Sequence, residues 1–569
     1  MPKGRSLSYA HMGYDKSLIG KTICDMFDDI AEKYPDNDAI VSLHQGTRYT
    51  YGELQREVCR AAKGLLSLGI KKGDRVAIWA TNIAEWVVTQ FATAKIGVIM
   101  VNINPAYRTH ELEYVLQQSE TQTLILIDSF KTSDYIKMFY EVCPEAKNCK
   151  PGQIVSENLP FLKNVVLIRG EKKEGMFTWD EVMKMGDEMP DAVVCATQGT
   201  LSFDEPINIQ YTSGTTGFPK GVVLTHHNVL NNGFFIGDYM KFTEKDRLCI
   251  PVPFYHCFGM VLSNLASMTH GSTMVLPAEH FDPLKTLEAI EKERCTAVHG
   301  VPTMFIAELE HPEFSRFDLS TLRTGIMAGS PCPIEVMKRV NTQMNMSDIV
   351  IVYGQTETSP GLTMSSVYDS LEKRVTTVGK PMPYTELKIV DPKNGEIVPR
   401  GEPGEICARG YAVMRGYYKN PDATGLVIDD DGWIHTGDLG ILDEEDYCKI
   451  TGRIKDMVIR GGENIYPREV EEFLYTHPEI SDAQVIGVPD VKYGEELMAW
   501  VKVKNGIAIT EDEIKEFCRG KIAHYKIPRY IKFVDEFPMT VTGKIQKYKM
   551  REISIKELGL DNAARIKTA

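Results

Sequence analysis

The sequence lacks the segments that would place the chain in or across a membrane. Its most apolar candidate for a membrane helix, residues 86–101, contains Thr89, Gln90 and Lys95 and is shorter than the roughly 20 apolar residues that a bilayer requires. Met1–Ser17 has no apolar core of the kind found in signal peptides. We therefore expect a soluble, cytoplasmic protein without a transmembrane segment.

Paired cysteines and an excess of positive charge are also missing. None of the 12 cysteines forms a Cys-x-x-Cys pair, and the closest two, Cys143 and Cys149, have no neighbouring histidine. This spacing argues against a zinc site and favours free thiols in a reducing compartment. With 64 basic and 78 acidic residues the formal charge is −14, which argues against nucleic-acid binding because the phosphate backbone attracts a basic surface.

The first 130 residues alternate between helix-like and strand-like patterns. Leu54, Val58 and Ala61 repeat at helical spacing, whereas residues 76–79, 98–101 and 124–127 are short apolar runs typical of buried strands. Strand–helix alternation of this kind predicts a mostly parallel sheet covered by helices.

In the remaining chain, the residue composition and pattern change at three places. A polar stretch at about 171–205 is expected to be irregular and to separate the first unit from a second α/β run at 207–390. From Pro392, glycines, prolines and short alternating segments predict a small β-rich subdomain. A further compact α/β segment follows Arg453, with a helix expected from Pro467. The fold class is therefore α/β, with two α/β subdomains, a β-rich subdomain and a small α+β C-terminal unit.

The strongest local signal is the segment 211–221, Tyr-Thr-Ser-Gly-Thr-Thr-Gly-Phe-Pro-Lys-Gly, between two predicted strands. Its glycines let backbone amides approach a ligand, while its hydroxyls and its lysine suit triphosphate oxygens. It is not a Walker A loop, because Phe218 and Pro219 separate Gly217 from Lys220. The predicted phosphate contacts are Thr212, Ser213, Gly214, Thr215, Thr216, Gly217 and Lys220.

This segment resembles the phosphate-binding signature of the adenylate-forming superfamily, which comprises acyl-CoA synthetases, peptide-synthetase adenylation domains and luciferases. The resemblance extends in the family's order over nearly the whole chain. It implies an AMP-binding domain at residues 1–453 and a mobile C-terminal domain at 454–569. The other matching segments are 253–259, 328–331, 353–357, 433–438, 452–467 and 540–547.

The resemblance implies a role for particular residues in these segments. It assigns Lys544, His256 and Thr356 to catalysis, and Glu357 to a magnesium ion. Further nucleotide contacts are expected from Gly329, Ser330, Pro331, Tyr353, Gln355, Thr356, Asp438, Arg453 and Lys544. Lys455 stands at the family's hinge position. The glycine pair Gly461 and Gly462 is expected to contact coenzyme A, and Val301, Met327 and Gly354 to line the acyl pocket.

Each of these residues also has an ordinary structural interpretation. A histidine among aromatics, such as His256, is commonly a packed core residue, and Gly-Ser-Pro is by itself only a turn. Glu357 could be a surface carboxylate, Asp438 a turn residue, and the glycine pair a simple loop. The order and number of the matching segments favour the functional interpretation.

The function implied by the resemblance is that of an acyl-CoA synthetase using ATP, Mg²⁺ and coenzyme A. The closest subfamily resemblance is to medium-chain fatty acid ligases, and cyclic, aromatic or branched acids also fit. An enzyme that passes its acyl group to a carrier protein, a luciferase-type oxygenase and a non-enzymatic nucleotide-binding protein are the alternatives. The sequence leaves a homodimer open.

Overall fold

The computed structural model describes residues 6–212, 219–330, 332–460, 463–504, 506–519, 521–540 and 544–560. Within these ranges the chain forms two large mixed sheets, one antiparallel sheet and one C-terminal sheet. No helix of the described residues is long and apolar enough to cross a membrane.

The first large sheet has eight strands and carries Lys220, the lysine of the predicted phosphate segment. It is parallel over most of its width, and its last two strand pairs are antiparallel. Its strands, in spatial order, are Phe177–Thr178, Asn164–Leu167, Thr123–Leu126, Arg75–Trp79, Ile99–Asn102, Pro206–Thr212, Lys220–Thr225 and Gly416–Tyr417.

The second large sheet has nine strands, with a parallel centre and antiparallel edges. Its strands, in spatial order, are Lys380–Pro381, Gly361–Met364, Asp348–Gly354, Thr324–Ala328, Ala297–Val298, Arg247–Cys249, Thr273–Leu276, Asp38–Ser42 and Thr47–Thr50.

Two smaller sheets complete the described fold. The antiparallel sheet consists of Tyr9–His11, Thr385–Val390, Gly404–Gly410, Ile434–Leu442 and Cys448–Arg453. The C-terminal sheet consists of Glu463–Ile465, Val458–Arg460, Gly494–Val503, Ile480–Asp490 and Tyr530–Phe533. A short hairpin pairs Ser129–Phe130 with Ser133–Asp134.

Helices cover the sheets, and several begin at a side-chain cap that the sequence supplies. The hydroxyls of Thr22, Thr50 and Thr225 each accept a backbone N–H three residues later, which satisfies one of the free donors of a helix N-terminus. The α-helices are Ile23–Lys33, Tyr51–Ser67, Ala84–Lys95, Thr109–Gln118, Tyr135–Val142, Trp179–Glu188, Asp191–Gln198, His226–Tyr239, Ala266–His270, Pro283–Lys292, Pro302–Leu309, Ile334–Gln343, Leu371–Thr376, Pro421–Gly425, Pro467–Tyr475, Glu511–Cys518 and Lys547–Glu557.

Tighter and wider helical turns occur at several connections. A π-helix spans Phe258–Leu265 and continues directly into the helix Ala266–His270. The 3₁₀ turns are Pro144–Asn148, Phe314–Arg316, Thr356–Thr358, Ile454–Asp456 and His524–Lys526.

The prediction that residues 171–205 are irregular and separate two α/β units is wrong in two respects. It contains the helices Trp179–Glu188 and Asp191–Gln198, the first of which is capped by Thr178. It also does not divide two units, because the strand Pro206–Thr212 pairs with Ile99–Asn102 in the same sheet. Packing of short amphipathic helices against the helix Tyr51–Ser67 stabilises a segment whose local composition is polar.

Candidate active site

Asp438 is the centre of a three-residue network at the edge of the antiparallel sheet. It stands opposite Arg453 in the pairing of two adjacent strands, so both side chains point to the same side. The Arg453 Nε donates to Asp438 Oδ1 at 3.0 Å, and the Tyr353 hydroxyl donates to Oδ2 at 2.8 Å. Burial and the Asp438 carboxylate raise the pKa of Tyr353 well above its usual range. The network holds the Asp438 carboxylate in a fixed orientation.

The backbone before Asp438 is fixed by a second carboxylate. Gly437 has φ of +71°, a conformation that favours glycine, and its N–H donates to Glu405 Oε1 at 3.1 Å. The Thr436 hydroxyl donates to the carbonyl of Ile406 and accepts the N–H of Asp438. The turn therefore orients Asp438 without using the oxygens of its side chain.

Glu357 is held by a tyrosine that also contacts Lys220. Glu357 lies in the 3₁₀ turn Thr356–Thr358, and its Oε1 accepts the Tyr417 hydroxyl at 2.9 Å. The Lys220 Nζ lies 4.9 Å from the centre of the Tyr417 ring, within the range of a cation–π interaction. Burial and the Glu357 carboxylate raise the pKa of Tyr417 above its usual range. Tyr417 thus joins the predicted magnesium ligand to the predicted phosphate lysine.

Lys544 reaches this site from a part of the chain that follows the C-terminal sheet. Burial, and next to it the Arg453 guanidinium, lower the pKa of Lys544, while the carboxylates of Glu357 and Asp438 act in the opposite direction. The backbone at Lys544 is fixed by a hydrogen bond with Thr540, whose backbone N–H donates to the Lys544 carbonyl at 2.7 Å. The Lys544 ammonium group therefore lies near charged residues of the strands Ile434–Leu442 and Cys448–Arg453 and of the 3₁₀ turn Thr356–Thr358.

His256 faces the same ammonium group from the start of the π-helix. Its Nδ1 accepts the N–H of Phe258 at 3.1 Å, which leaves Nε2 as the protonated nitrogen that can donate a hydrogen bond. Burial, and then the nearby Lys544, lower the pKa of His256 to about 3. The imidazole is therefore neutral at physiological pH and can act as a hydrogen-bond donor without carrying charge.

The predicted adenine-contacting loop is adjacent to Val301. Gly329 has φ of +88°, and a Cβ at this position would lie 3.1 Å from Val301 Cγ1. A side chain would therefore be both strained and crowded at Gly329. Ser330 follows it at the end of the strand Thr324–Ala328, and Thr356 is buried at 7% exposure.

The three residues predicted for the acyl pocket do not share one face. Val301 packs in the large hydrophobic cluster together with Ala328 and Phe258, whereas Met327 packs in the second cluster with Phe305. Successive side chains of a strand point to opposite faces, so Ala328, rather than Met327, shares the side of Val301. The assignment of Met327 to the acyl pocket stays a prediction, and Gly354 ends the neighbouring strand Asp348–Gly354.

Several predicted contacts lie outside the described residues. Thr212 and Lys220, at the two ends of the phosphate segment, are described, and they pair with each other across adjacent antiparallel strands. Gln355, at the start of the 3₁₀ turn, donates its backbone N–H to the Thr358 hydroxyl. The predicted residues outside the described ranges are Ser213, Gly214, Thr215, Thr216, Gly217, Pro331, Gly461 and Gly462.

Lys455, the predicted hinge residue, is exposed in the 3₁₀ turn Ile454–Asp456. This turn directly follows Arg453, the last residue of the antiparallel sheet, and precedes Val458–Arg460, a strand of the C-terminal sheet. Lys455 therefore lies in the short connection between two sheets.

Two residues of the site have no sequence signal of their own. Tyr417 and Glu405 contact Glu357 and Gly437 respectively, at separations of 60 and 32 residues. Neither belongs to a segment with loop-like or phosphate-binding composition, and only the pairing of distant strands brings them to the site.

Comparisons with known proteins match both parts of the chain. A family model described as AMP-binding enzyme matches residues 27–418, and one described as AMP-binding enzyme C-terminal domain matches residues 469–544. A putative acyl-CoA synthetase, YngI of Bacillus subtilis, is 53% identical over 96% of this chain and 99% of its own length.

Two further matches, one by sequence and one by structure, agree with this result. A medium-chain acyl-CoA ligase, mitochondrial ACSF2 of Danio rerio, is 46% identical over 97% of this chain and 91% of its own. The crystal structure of the anthranilate CoA ligase AuaEII with anthranoyl-AMP has a TM-score of 0.84 and 26% identity. That comparison covers 96% of this chain and 99% of the ligase.

Proposed function

The chain belongs to the AMP-binding enzyme family, and on that basis we propose that it is an ATP-dependent acyl-CoA synthetase. It converts a carboxylic acid, ATP and coenzyme A into acyl-CoA, AMP and diphosphate through an acyl-adenylate. The observation that carries this proposal is the position of Lys544 among Asp438, Arg453, Glu357 and His256. Such a site gathers positive charge and hydrogen-bond donors where two anionic substrates must meet.

The first step requires a carboxylate to attack the α-phosphate of ATP although both carry negative charge. Lys544 and Lys220 supply positive charge on the reacting groups, which lowers the repulsion and stabilises charge in the transition state. Thr356 can donate its hydroxyl to the α-phosphate, and the neutral His256 can orient the acyl carboxylate through Nε2. Acyl-AMP forms and diphosphate leaves.

The nucleoside is held by residues that do not take part in the bond changes. The Asp438 carboxylate can accept hydrogen bonds from both ribose hydroxyls, since Tyr353 and Arg453 already fix its plane. Gly329 and Ser330 provide a close backbone approach for the adenine. Fixing the nucleoside keeps the α-phosphate within reach of Lys544.

The donors at Glu357 fit a magnesium ion, which would neutralise charge on the ATP phosphates. Glu357 is a hard oxygen ligand whose Oε1 is oriented by Tyr417, and the adjacent Thr356 offers a hydroxyl oxygen. Glu357 would hold the ion, while Lys220, on the other side of the Tyr417 ring, binds phosphate oxygens.

The acid is proposed to be a medium-chain fatty acid or a cyclic or aromatic acid of similar size. The names of the relatives support both classes, because one is a medium-chain ligase and another acts on anthranilate. Val301, Ala328 and Phe258 are buried in one hydrophobic cluster, and the backbone N–H of Phe258 donates to His256. Each methylene adds only about 1–3 kcal/mol of discrimination in such a pocket, so several acids are expected to react.

The second step transfers the acyl group to the thiol of coenzyme A, and we propose that it requires the C-terminal part to move. The proposed domains are residues 1–453 and 454–569, with Lys455 in the connection as the hinge. Lys544 lies near Asp438 and Glu357, which supports its use in adenylation, and coenzyme A would be admitted after Lys544 is withdrawn. A cytoplasmic location and a homodimer stay predictions from the sequence.

The most direct test is a panel of saturated, aromatic and branched acids assayed for AMP release with and without coenzyme A. We expect acid-dependent AMP release that increases strongly when coenzyme A is added. Acid-dependent ATP–diphosphate exchange without coenzyme A turnover would favour a carrier-protein transferase. Absence of any acid-dependent reaction across the panel would contradict an adenylating enzyme.

Replacing Lys544 tests the residue on which the proposed first step depends. Lys544→Ala is expected to lower acid-dependent diphosphate release about 10²–10³-fold, because a charge that acts in the transition state is lost. Thioester formation from added acyl-AMP should be much less affected. Lys549→Ala is the matched control, since Lys549 is an exposed lysine five residues further along, in the helix Lys547–Glu557. Equal rates in the two variants would contradict the proposed role of Lys544.

A further inference from the structure

Three potential metal ligands meet on the antiparallel sheet next to the turn that precedes Asp438, and one of them, Glu405, also fixes that turn. Glu405 and Cys407 lie two residues apart on the strand Gly404–Gly410, and His435 stands directly opposite Cys407 on the next strand. A register shift between Glu405 and Cys407 brings the carboxylate toward the histidine. Strand pairing thus places one sulfur, one nitrogen and one oxygen donor on the same face.

The separations between these donor atoms suit a single small cation. The ligand atoms all lie within 4.8 Å of one another. Cys407 Sγ is 3.4 Å from His435 Nδ1, and Nδ1 is 2.9 Å from Glu405 Oε2. Zinc bonds to these atom types measure about 2.0–2.3 Å, so tetrahedral ligands lie about 3.3–3.7 Å apart. Small side-chain movements would bring the three atoms to that spacing.

A fourth residue, Asp429, lies beside the ring nitrogen of His435 that does not face Glu405. Asp429 Oδ2 lies 3.8 Å from His435 Nε2, the nitrogen on the other side of the ring from Nδ1. Metal-bound histidines commonly donate their second N–H to a carboxylate, which fixes the tautomer that leaves the ligating nitrogen free. Asp429 can accept this N–H through Oδ2, because its other oxygen, Oδ1, accepts the backbone N–H groups of Asp431 and Trp433.

Burial and exposure are distributed as a metal site requires. Cys407 is fully buried and Glu405 is 9% exposed, so their donor atoms are shielded from competing water. The His435 side chain is 35% exposed and leaves one side open for entry of an ion and for a fourth ligand. The spacing of cysteines along the chain could not indicate this site, because its ligands come from two strands.

We propose that Glu405, Cys407 and His435 bind one Zn²⁺ ion, with Asp429 as the residue that positions His435. The mixed thiolate, imidazole and carboxylate donors suit zinc better than magnesium, which prefers oxygen ligands. Binding releases the thiol proton of Cys407 to solvent, while the imidazole keeps one proton, now on Nε2 facing Asp429. The thiolate and the Glu405 carboxylate balance the two charges of the ion. This proposal does not depend on the proposed ligase activity.

Cobalt is a suitable probe, because Co²⁺ bound to a thiolate gives an absorption band in the near ultraviolet. Full-length protein freed of metal with a chelator is titrated with Co²⁺ and then with Zn²⁺. We expect a band that saturates at one equivalent and disappears when Zn²⁺ is added. Cys407→Ala should lose the band. Cys448→Ala should keep it, since Cys448 is a buried thiol of the adjacent strand Cys448–Arg453. Absence of the band in the native protein, or its persistence in Cys407→Ala, would overturn the site.

A second and less disruptive variant tests the site even if Cys407→Ala does not fold. Asp429→Asn keeps an oxygen for the N–H groups of Asp431 and Trp433 but removes the carboxylate charge facing His435. Competition with a coloured chelator should show Zn²⁺ affinity lowered about 10–100-fold, the usual effect of losing such a partner. An unchanged affinity in this variant would contradict the assignment of Asp429.

Discussion

At the scale of single residues, the site is built from charged groups that hold one another before any substrate binds. Asp438 is fixed by Tyr353 and Arg453, and Glu357 by Tyr417. Hydrogen bonds to charged groups contribute about 1.5–3 kcal/mol each, so such pairs restrict the side chains to a few orientations. The predicted substrate-binding carboxylates are therefore oriented by neighbouring side chains of the protein.

A substitution of Tyr417 tests this support for Glu357, the proposed magnesium ligand. Tyr417→Phe keeps the ring beneath Lys220 but removes the hydrogen bond to Glu357. We expect the Mg²⁺ concentration for half-maximal adenylation to rise roughly 10-fold, with a smaller change in the maximal rate, because Glu357 is less well oriented. Binding of Mn²⁺ with ATP, followed by electron paramagnetic resonance, should weaken to a similar extent.

Tyr418→Phe is the matched control for this substitution. Tyr418 is the next residue, and its ring lies beside Lys419 instead of Lys220. Its hydroxyl is not expected to affect Glu357. If the two phenylalanine variants responded equally to Mg²⁺, the Tyr417 hydroxyl would have no specific part in metal binding.

At the scale of elements, the helix Pro302–Leu309 joins the substrate side of the fold to its core. Val301 precedes it beside Gly329, and Pro302 starts it at a position where no backbone N–H is needed. Near its end, Glu308 is buried, and its Oε2 has no hydrogen-bond partner among the residues that the structure describes. Burial raises the pKa of Glu308 to about 8.

The buried carboxyl predicts a pH dependence of stability with a definite sign. The folded protein holds the Glu308 proton up to about pH 8, while the unfolded chain loses it near its ordinary pKa of 4.5. Glu308 therefore stabilises fully below pH 4.5, and stability is lost as the pH rises from 4.5 to 8. The loss for one group is at most about 1.4 kcal/mol per pH unit within this window.

Glu308→Gln should remove this contribution, since the amide cannot ionise. Thermal unfolding between pH 5 and 8 is expected to show a midpoint that declines less in the variant than in the native protein. Glu310→Gln is the control, because Glu310 is exposed two residues further along. Parallel curves for native protein and Glu308→Gln would show that Glu308 is ionised in the fold.

At the scale of the whole molecule, the site combines groups that belong to different sheets. Lys220 lies on a strand of the eight-stranded sheet, Asp438 on the antiparallel sheet, and Lys544 beyond the C-terminal sheet. Along the chain, the exposed turn at Lys455 and the C-terminal sheet lie between Lys544 and the other residues of the site. We therefore propose that the first and second steps use different positions of Lys544.

A proline at the hinge tests whether movement is needed for the second step only. Lys455 lies in the first turn of a 3₁₀ segment, where proline is tolerated, and Met457 rather than Lys455 donates to the Arg453 carbonyl. Lys455→Pro is expected to leave acyl-AMP formation within about 3-fold and to slow thioester formation at least 10-fold. Single-turnover measurements separate the two steps.

Lys455→Ala is the appropriate comparison, because it removes the side chain but keeps backbone freedom. The alanine variant should carry out both steps at nearly native rates. Equal kinetics for the alanine and proline variants in thioester formation would contradict a hinge at this position.

Much of the fold could be predicted from periodicity and turn residues. The helix expected from Pro467 begins at that residue, and the strand expected at 76–79 is observed as Arg75–Trp79. The order of units along the chain was less informative. Asp38–Ser42 joins the nine-stranded sheet formed mainly by later residues, and Tyr9–His11 joins the antiparallel sheet.

Local chemistry therefore determined which residues could bind phosphate, ribose or a cation, because glycine loops, lysines and carboxylates have these capacities wherever they occur. The pairing of strands far apart in sequence decided which of them meet. Register and strand phase placed Ala328 instead of Met327 beside Val301, Tyr417 against Glu357, and Cys407 opposite His435. A one-residue change of phase turns a side chain to the other face, and short-range patterns do not record which distant strand supplies the partner.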